Sequence, residues 1–417
     1  MKIRKNTVII IISAVLLVIA TVTAILVINH VKAVRLEKEM REKPVKIAFY
    51  NVDKKAQDII KKIITKEWDA LSTGISYEFA TLDSSKSASD HLFDDYSIGL
   101  LFSDSYTAET VSNLAVKPSE AVYAGMPYSV RDITKTSVPL LLDDFETLYN
   151  IKLLSSTEMT VSATMADMLS FVEKNSTNRR FSIGCPGKDD KTLGMFISSF
   201  MESVYSASSL EKLKKAIQNA EKSSNVDAIF DSVLNASGNE EFKNILDRLG
   251  QWKKSGLLHS EWYAMTQQEV EYLMESDFFS IVFMPLSMHR NIPYRTIEKY
   301  TESFFPADRQ EGKDPERSLV FSILTGTVIK NKYEEKSAVS MDILSKLVTL
   351  ENQAAIAEST GLAPVSSTAE TSDKQASNAR LWAAASDKPL ASLADFFSNP
   401  AAKTAFFNGL RDYLKIY

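Results

Sequence analysis

"VKIAFYNVDKKAQDIIKKIITKEWDALS", residues 45–72, sets a short apolar run against a longer amphipathic one. Val45–Asn51 crowds β-branched and aromatic residues into seven positions, the pattern of a strand. From Asp53 onward the period changes, and Ile59, Ile60, Ile63, Ile64 and Trp68 fall along one side of a helix. Downstream, "ISYEFATLD" reads as a second strand. "YSIGLLFSD" (Tyr96–Asp104) reads as a third, apolar enough for both of its faces to be covered. Strand, helix, strand, helix, strand implies a parallel sheet with helices on its faces, so the fold class is α/β.

Upstream lies "NTVIIIISAVLLVIATVTAILVINHVKAVR" (Asn6–Arg35). Val8–Ile28 is an apolar run broken only by small Ser and Thr. At 1.5 Å per residue a helix of about 21 residues covers the hydrocarbon core of a bilayer. The apolar core of a signal peptide is usually shorter, about 7–15 residues. The run therefore reads as a retained signal anchor, with "VKA" ending at Ala33 a weak cleavage candidate. Lys2, Arg4 and Lys5 precede it, and Lys32, Arg35, Lys38, Arg41, Lys43 and Lys46 follow it. The lysine and arginine count mildly favours a cytoplasmic C-terminal part. Arg35–Lys43 reads as a short charged stem that Pro44 ends.

Beyond the anchor, about 370 residues are enough for two ordinary domains. A charged fraction of 24% beside 45% hydrophobic residues describes a folded chain. A net charge of −5 gives no reason to expect a nucleic-acid partner. With one cysteine, Cys185, the chain has no intrachain disulfide and no cysteine-rich metal site. The middle is more helical: "TMADMLSFVEK", "LGMFISSFMESVYS" and "SLEKLKKAIQNAEK" read as helices. "EEFKNILDRLGQWKKSGLL" is a strongly amphipathic one ending at Gly256. "RRFSIGC" and "FFSIVFMP" read as strands, and Pro306–Ser318 and Ser366–Ala379 as loops.

Catalytic motifs come up short. "GCPGKDDKT" (Gly184–Thr192) follows a strand but lacks phosphate-loop spacing, so it reads as a strand-to-helix turn. His30, His91, His259 and His289 form no pair at metal spacing. Cys185 reads as a buried structural thiol. Asp143 and Asp144, adjacent on a strand, point to opposite faces and make no acid–base pair. No catalysis, metal or cofactor is expected.

The order of segments carries more than any motif. "SVPLLLDDFETLYNIKLL" (Ser137–Leu154) resembles the first crossing between lobes in the extracytoplasmic solute-binding proteins of ABC importers, the family of maltose- and other sugar-binding proteins; Pro139, Leu148, Tyr149 and Asn150 carry the likeness. "KIAFYNVDKKAQDIIKKIITKEW" resembles the family's first strand and helix, and "YSIGLLFSDSYTAETVSNLA" its strand before a ligand-contacting turn. "EVEYLMESDFFSIVFMPLSMHRNIP" resembles the strand and turn of the second lobe. "SLVFSILTGTVIKNKYEEK" through Thr360, Gly361 and Pro364 resembles the return to the first. The resemblance covers about residues 45–417. It implies a periplasmic-binding-protein-like fold of two α/β lobes joined by crossing strands; the transmembrane helix read ahead of them is a departure from the family. The expected partition is 1–30 anchor, 31–45 stem, 46–145 with 322–363 first lobe, and 146–321 with 364–417 second lobe.

The resemblance further implies a receptor that delivers a small polar ligand, a carbohydrate favoured, to ABC transporter permease subunits by closing a cleft. It places the lobes on the extracytoplasmic side of the cell membrane, against the charge count. Asn51, Asp53 and Lys54 match ligand-contact positions, but Asp53 is equally a helix cap. Ser103, Asp104, Ser105 and Tyr106 follow the third strand as ligand contacts or as a capped, solvated turn. Asp143 stands where the family often places an acidic acceptor for sugar hydroxyls, or is a surface acid at the hinge. Leu286 and Ser287 follow the second-lobe strand, where sugar binders commonly carry Gly-Pro-Trp. Here the sequence is Pro285, Leu286, Ser287, Met288, and the stacking tryptophan is missing. Trp382 is either a substitute platform or packing between helices. A tethered sensory module with the same fold is the alternative reading, and an anchored hydrolase a third.

Overall fold

A computed structural model describes residues 42–417 except 96, 132–135, 162–163, 177–181, 223–224 and 309–316, together with parts of 18–38. The expected span Val8–Ile28 lies in large part outside the described residues. Among those described, no helix is long and apolar enough to cross a membrane.

Two halves share one strand. In the first, β1 (Val45–Phe49) pairs in parallel with β2 (Tyr77–Thr81) and β3 (Ile98–Asp104). These are three of the strands read from sequence. The order continues β3, β8 (Phe321–Val328), β4 (Val138–Asn150), both new pairings antiparallel. The second half grows from the same β4. Its residues 145–149 pair with β6 (Ile281–Pro285), residues 147–150 pair with β7 (Tyr300–Ser303), and β6 pairs in parallel with β5 (Ile183–Gly184). The short β9 (Ala363–Pro364) sits on β4 at Leu141 and Leu142. All 13 residues of β4 are buried, because it is covered where it passes from one half into the other.

Six helices position the site: α1 (Lys54–Leu71), α2 (Ser105–Thr110), α3 (Asp190–Tyr205), α4 (Ala207–Ala220), α5 (Lys374–Ala385) and α6 (Pro400–Ile416). In α1, Ile60, Ile63, Ile64 and Trp68 face the sheet, and the Trp68 indole N–H donates to the Ile75 carbonyl at 2.9 Å. Each such large side chain, fully buried, contributes roughly 1.5–3 kcal/mol. The helix read through "GQWKKSG" ends as expected, with Gly256 in the left-handed region at φ +80°.

Two large cores follow. The first gathers Ile47, Phe49, Trp68, Phe102, Leu140, Phe321 and Ile343. The second is aromatic: Phe196 lies 5.0 Å from Phe283, 5.1 Å from Trp262 and 6.1 Å from Phe145 and from Phe305, centroid to centroid.

Two expectations need correction. Ser366–Ala379 is not wholly a loop, because α5 begins at Lys374, capped by the Asp373 carboxylate accepting from the Ala376 N–H at 2.8 Å. Its polar composition hid a stripe of small residues, Ala376, Ala379 and Ala383, that pack into the first core. For the same reason residues 364–417 do not go together with the second lobe. Val365 and the α5 alanines join the first core, while Leu390 to Leu414 join the second.

Candidate ligand cleft

Two adjoining hollows lie between the halves, beyond the carboxyl ends of β1 and β3, where open α/β sheets hold ligands. One, of about 440 Å3, is lined by Asn51, Asp53, Asp104, Asp143, Lys191, Ser287 and Ser322, among others. The other, of about 320 Å3, shares Asn51, Asp104, Lys191 and Ser322 and adds Tyr50, Thr107, Asp395 and Lys403. β1, β3 and β8 supply one wall; the starts of α3 and of Leu286–His289, the 393–395 turn and α6 supply the other.

Each wall is fixed by local chemistry. Asp53 caps α1, its carboxylate accepting from the Ala56 N–H at 3.0 Å. Asp104 caps α2, accepting from the Thr107 N–H at 2.7 Å and the Thr107 hydroxyl at 2.8 Å. Asn51 is held at φ +54°, the left-handed region that Asn tolerates better than most residues. Asp143 is buried. One of its oxygens accepts from the Ser287 backbone N–H at 2.8 Å and the other from the Lys191 ammonium at 2.5 Å, which ties β4 to both second-half elements. Burial works to lower the Lys191 pKa, but the adjacent Asp143 carboxylate outweighs it and holds the ammonium above its ordinary value. Asp144 faces the other way, as strand alternation requires. One of its oxygens finds no partner among the described residues, and burial, then Glu146, push its carboxyl well up. Burial, then Asp104, push the Tyr50 hydroxyl up to about 12 while it donates to the Lys86 carbonyl.

Asp395 carries the clearest pH signature. Its carboxyl is pushed up to about 6, by burial first and then by Asp104 across the cleft, with Lys403 and Lys191 offsetting part of the effect. A carboxyl whose folded pKa is raised holds its proton better folded than unfolded. That contribution is present below the unfolded value and fades as pH rises through about 6. We expect unfolding free energy to fall between about pH 4 and pH 6 by up to roughly 2–3 kcal/mol from this group. Urea unfolding at stepped pH checks it, with Asp395→Asn flattening the slope.

The structure thus brings Asn51, Asp53, Asp104, Asp143 and Ser287 to the hollows. The others lie elsewhere. Lys54 is exposed in the first turn of α1 and lines neither hollow. Ser103 is buried, its carbonyl accepting from the Thr325 hydroxyl at 2.8 Å. Tyr106 is buried and turned to the far side of α2, where its hydroxyl accepts from Gln218 at 3.1 Å. Leu286 is packed in the first core. Trp382 lies edge-on to Phe304 at 6.1 Å against that core and lines neither hollow. Lys191, Asp395 and Lys403 were missed. Lys191 had a usable signal, since "GCPGKDDKT" is a strand, a turn and a helix start, the place where such sheets present ligands. Asp189 caps that start through the Thr192 N–H. Cys185 behind it is buried, and burial, then Asp189, push its thiol well up. Among the described residues no group of three His, Cys, Asp or Glu side chains could hold a metal ion.

Two α/β halves joined through a shared strand, with a polar cleft between them, define the fold of the sugar-binding type of extracellular solute-binding proteins. No family model and no curated protein matches the sequence. Solved structures do match. Maltose-bound MalE3 of T. maritima superposes with a TM-score of 0.60 at 12% identity, covering 89% of this chain and 99% of its own. The bacterial solute receptor AcbH, described as exclusive for β-D-galactopyranose, gives 0.63 at 12% identity, over 90% and 99%. The binding protein MsmE of Bacillus subtilis in an open conformation gives 0.63 at 11% identity, over 89% and 96%.

Proposed function

We propose that this chain is a membrane-tethered solute-binding protein that closes on a small polar ligand and hands it to the permease of an ABC importer. One observation carries the reading: hydroxyl, amide, carboxylate and ammonium groups from both halves converge on the same pair of hollows at the strand ends. Such groups suit a hydroxyl-rich solute, because carboxylates accept several hydroxyl donors at once. Maltose and β-D-galactopyranose in the similar structures favour a sugar-like ligand. In this reading Val8–Ile28 is the single-pass anchor and the lobes stand outside the cytoplasmic membrane, hinged at β4. It is a binding function without catalysis.

A second reading is a tethered sensing module with the same fold and no transport role; among the described residues lining the cleft no tryptophan stands to stack on a pyranose, which weakens the case for a large sugar in either reading. Thermal-shift screening of the full chain against sugars, amino acids and oligopeptides tests the binding that both require. A true ligand at 100 times its dissociation constant adds about 2.7 kcal/mol of stability. Asp104→Ala with Asn51→Ala should abolish the response while leaving the fold. Silence across a broad library would remove the receptor reading. Protease shaving of intact cells tests the side: the lobes should be cleaved with the membrane sealed.

A further inference from the structure

Tyr106, expected among the ligand contacts, is engaged with the opposite half instead. α2 carries two faces. Asp104, Thr107 and Thr110 line the smaller cleft hollow. Tyr106 and Glu109 line a separate hollow of about 250 Å3 together with Leu210 and Lys214 of α4 and Phe396. The Lys214 ammonium reaches Glu109 at 2.7 Å and lies 5.0 Å above the Tyr106 ring. Gln218 donates to the Tyr106 hydroxyl at 3.1 Å, and Phe396 meets its ring edge-on at 6.5 Å. Tyr106 is almost wholly buried. The partners span 105 and 112 residues of sequence and belong to opposite halves, and none is part of a crossing strand. The space between the halves is therefore not one groove. α2, seated against 393–397, separates the cleft hollows from the hollow behind.

We propose that Tyr106 and Glu109 of α2 latch the lobes together through Lys214, Gln218 and Phe396 without any ligand, and so wall off the cleft for a compact solute of one or two rings. The size part rests on the receptor reading; the latch does not. The cleft hollows lie in the lower part of the range of ligand pockets, roughly 300–1,000 Å3. A molecule held shut by this latch has to open before a solute enters, so the latch sets the fraction of binding-competent protein.

Interlobe distances in the full chain test the latch without any ligand. Spin labels at Asp69→Cys in the first lobe and Ser237→Cys in the second report the separation, the native Cys185 being buried. The unmodified latch should give one narrow distribution. Glu109→Lys and Tyr106→Ala should each add a longer component, and Glu109→Lys combined with Lys214→Glu should restore the short one. A long component already dominant in the parent, or variants indistinguishable from it, would overturn the latch. Binding of a graded glucose series, from monomer to hexamer, then tests the size limit. Preference for one or two units supports it, and tight binding of the hexamer refutes it. If no glycan binds while the label distances behave as expected, the receptor reading has failed for sugars and the latch stands.

Discussion

His289→Leu should cost about 1–3 kcal/mol of stability near pH 8, the cost of leaving the buried Glu146 carboxyl without its hydrogen-bond partner. The His289 ring nitrogen lies 2.5 Å from a Glu146 carboxylate oxygen, and both side chains are buried, 4% and 0% exposed. The other Glu146 oxygen has no partner among the described residues. Burial already raises the Glu146 carboxyl, and His289 acts against that rise. Without the imidazole the raised pKa climbs further. The variant is therefore weakest at high pH and recovers as acid protonates Glu146. Replacing both residues by leucine should lose far less than either single change, since no charge is then left buried. Chemical unfolding of the two singles and the double at pH 5 and pH 8 measures the coupling. Equal losses at both pH values would show that the histidine acts only by its packing.

Phe196→Ala should cost about 3–5 kcal/mol, in the upper range for core truncations. Phe196 is fully buried and touches Phe145, Phe200, Trp262, Phe283 and Phe305 at centroid distances of 5.0 to 6.4 Å. The cavity opens beneath α3, whose first turn holds Lys191 against Asp143. The loss should thus appear in the cleft as well as in the melting curve. Any ligand response should weaken at temperatures where the variant is still folded. Phe196→Leu, which keeps most of the volume, should recover the larger part of both.

Much of this architecture could be read before any coordinates. β1, α1, β2 and β3 announce themselves because the strands are short runs rich in β-branched and aromatic residues and α1 keeps an unbroken 3.6-residue period of large apolar side chains. Ser137–Leu154 could be placed by its likeness to a lobe crossing, and β4 runs through it. The cleft was half legible. Asn51, Asp104 and Asp143 follow or sit on legible strands, and the family likeness marks them as ligand-facing. Lys191, Asp395 and Lys403 come from turns and helix starts, whose side chains are aimed by packing more than 190 residues distant: Gly194 of α3 admits the Ala394 backbone so closely that a Cβ there would stand 2.7 Å from its nitrogen. Tyr106 shows the converse. Position after a strand is written in the chain, but which face of a six-residue helix meets which neighbour is decided by the other half. The first turns of α5, residues 374–379, pass for loop because alanine carries little hydrophobic signal.

β4 has one more consequence, for how this gene can drift. Past the bulge at Leu140, its residues 141–144 are registered against β8 and residues 145–149 against β6, with no loop between to absorb an error. Inserting or deleting one residue near Asp144 would turn every downstream side chain to the opposite face, sending Phe145 and Tyr149 out of their core and Glu146 into it. Length variation among natural descendants of this chain should accordingly be absent from 141–150, while substitutions that keep the alternation remain open to them.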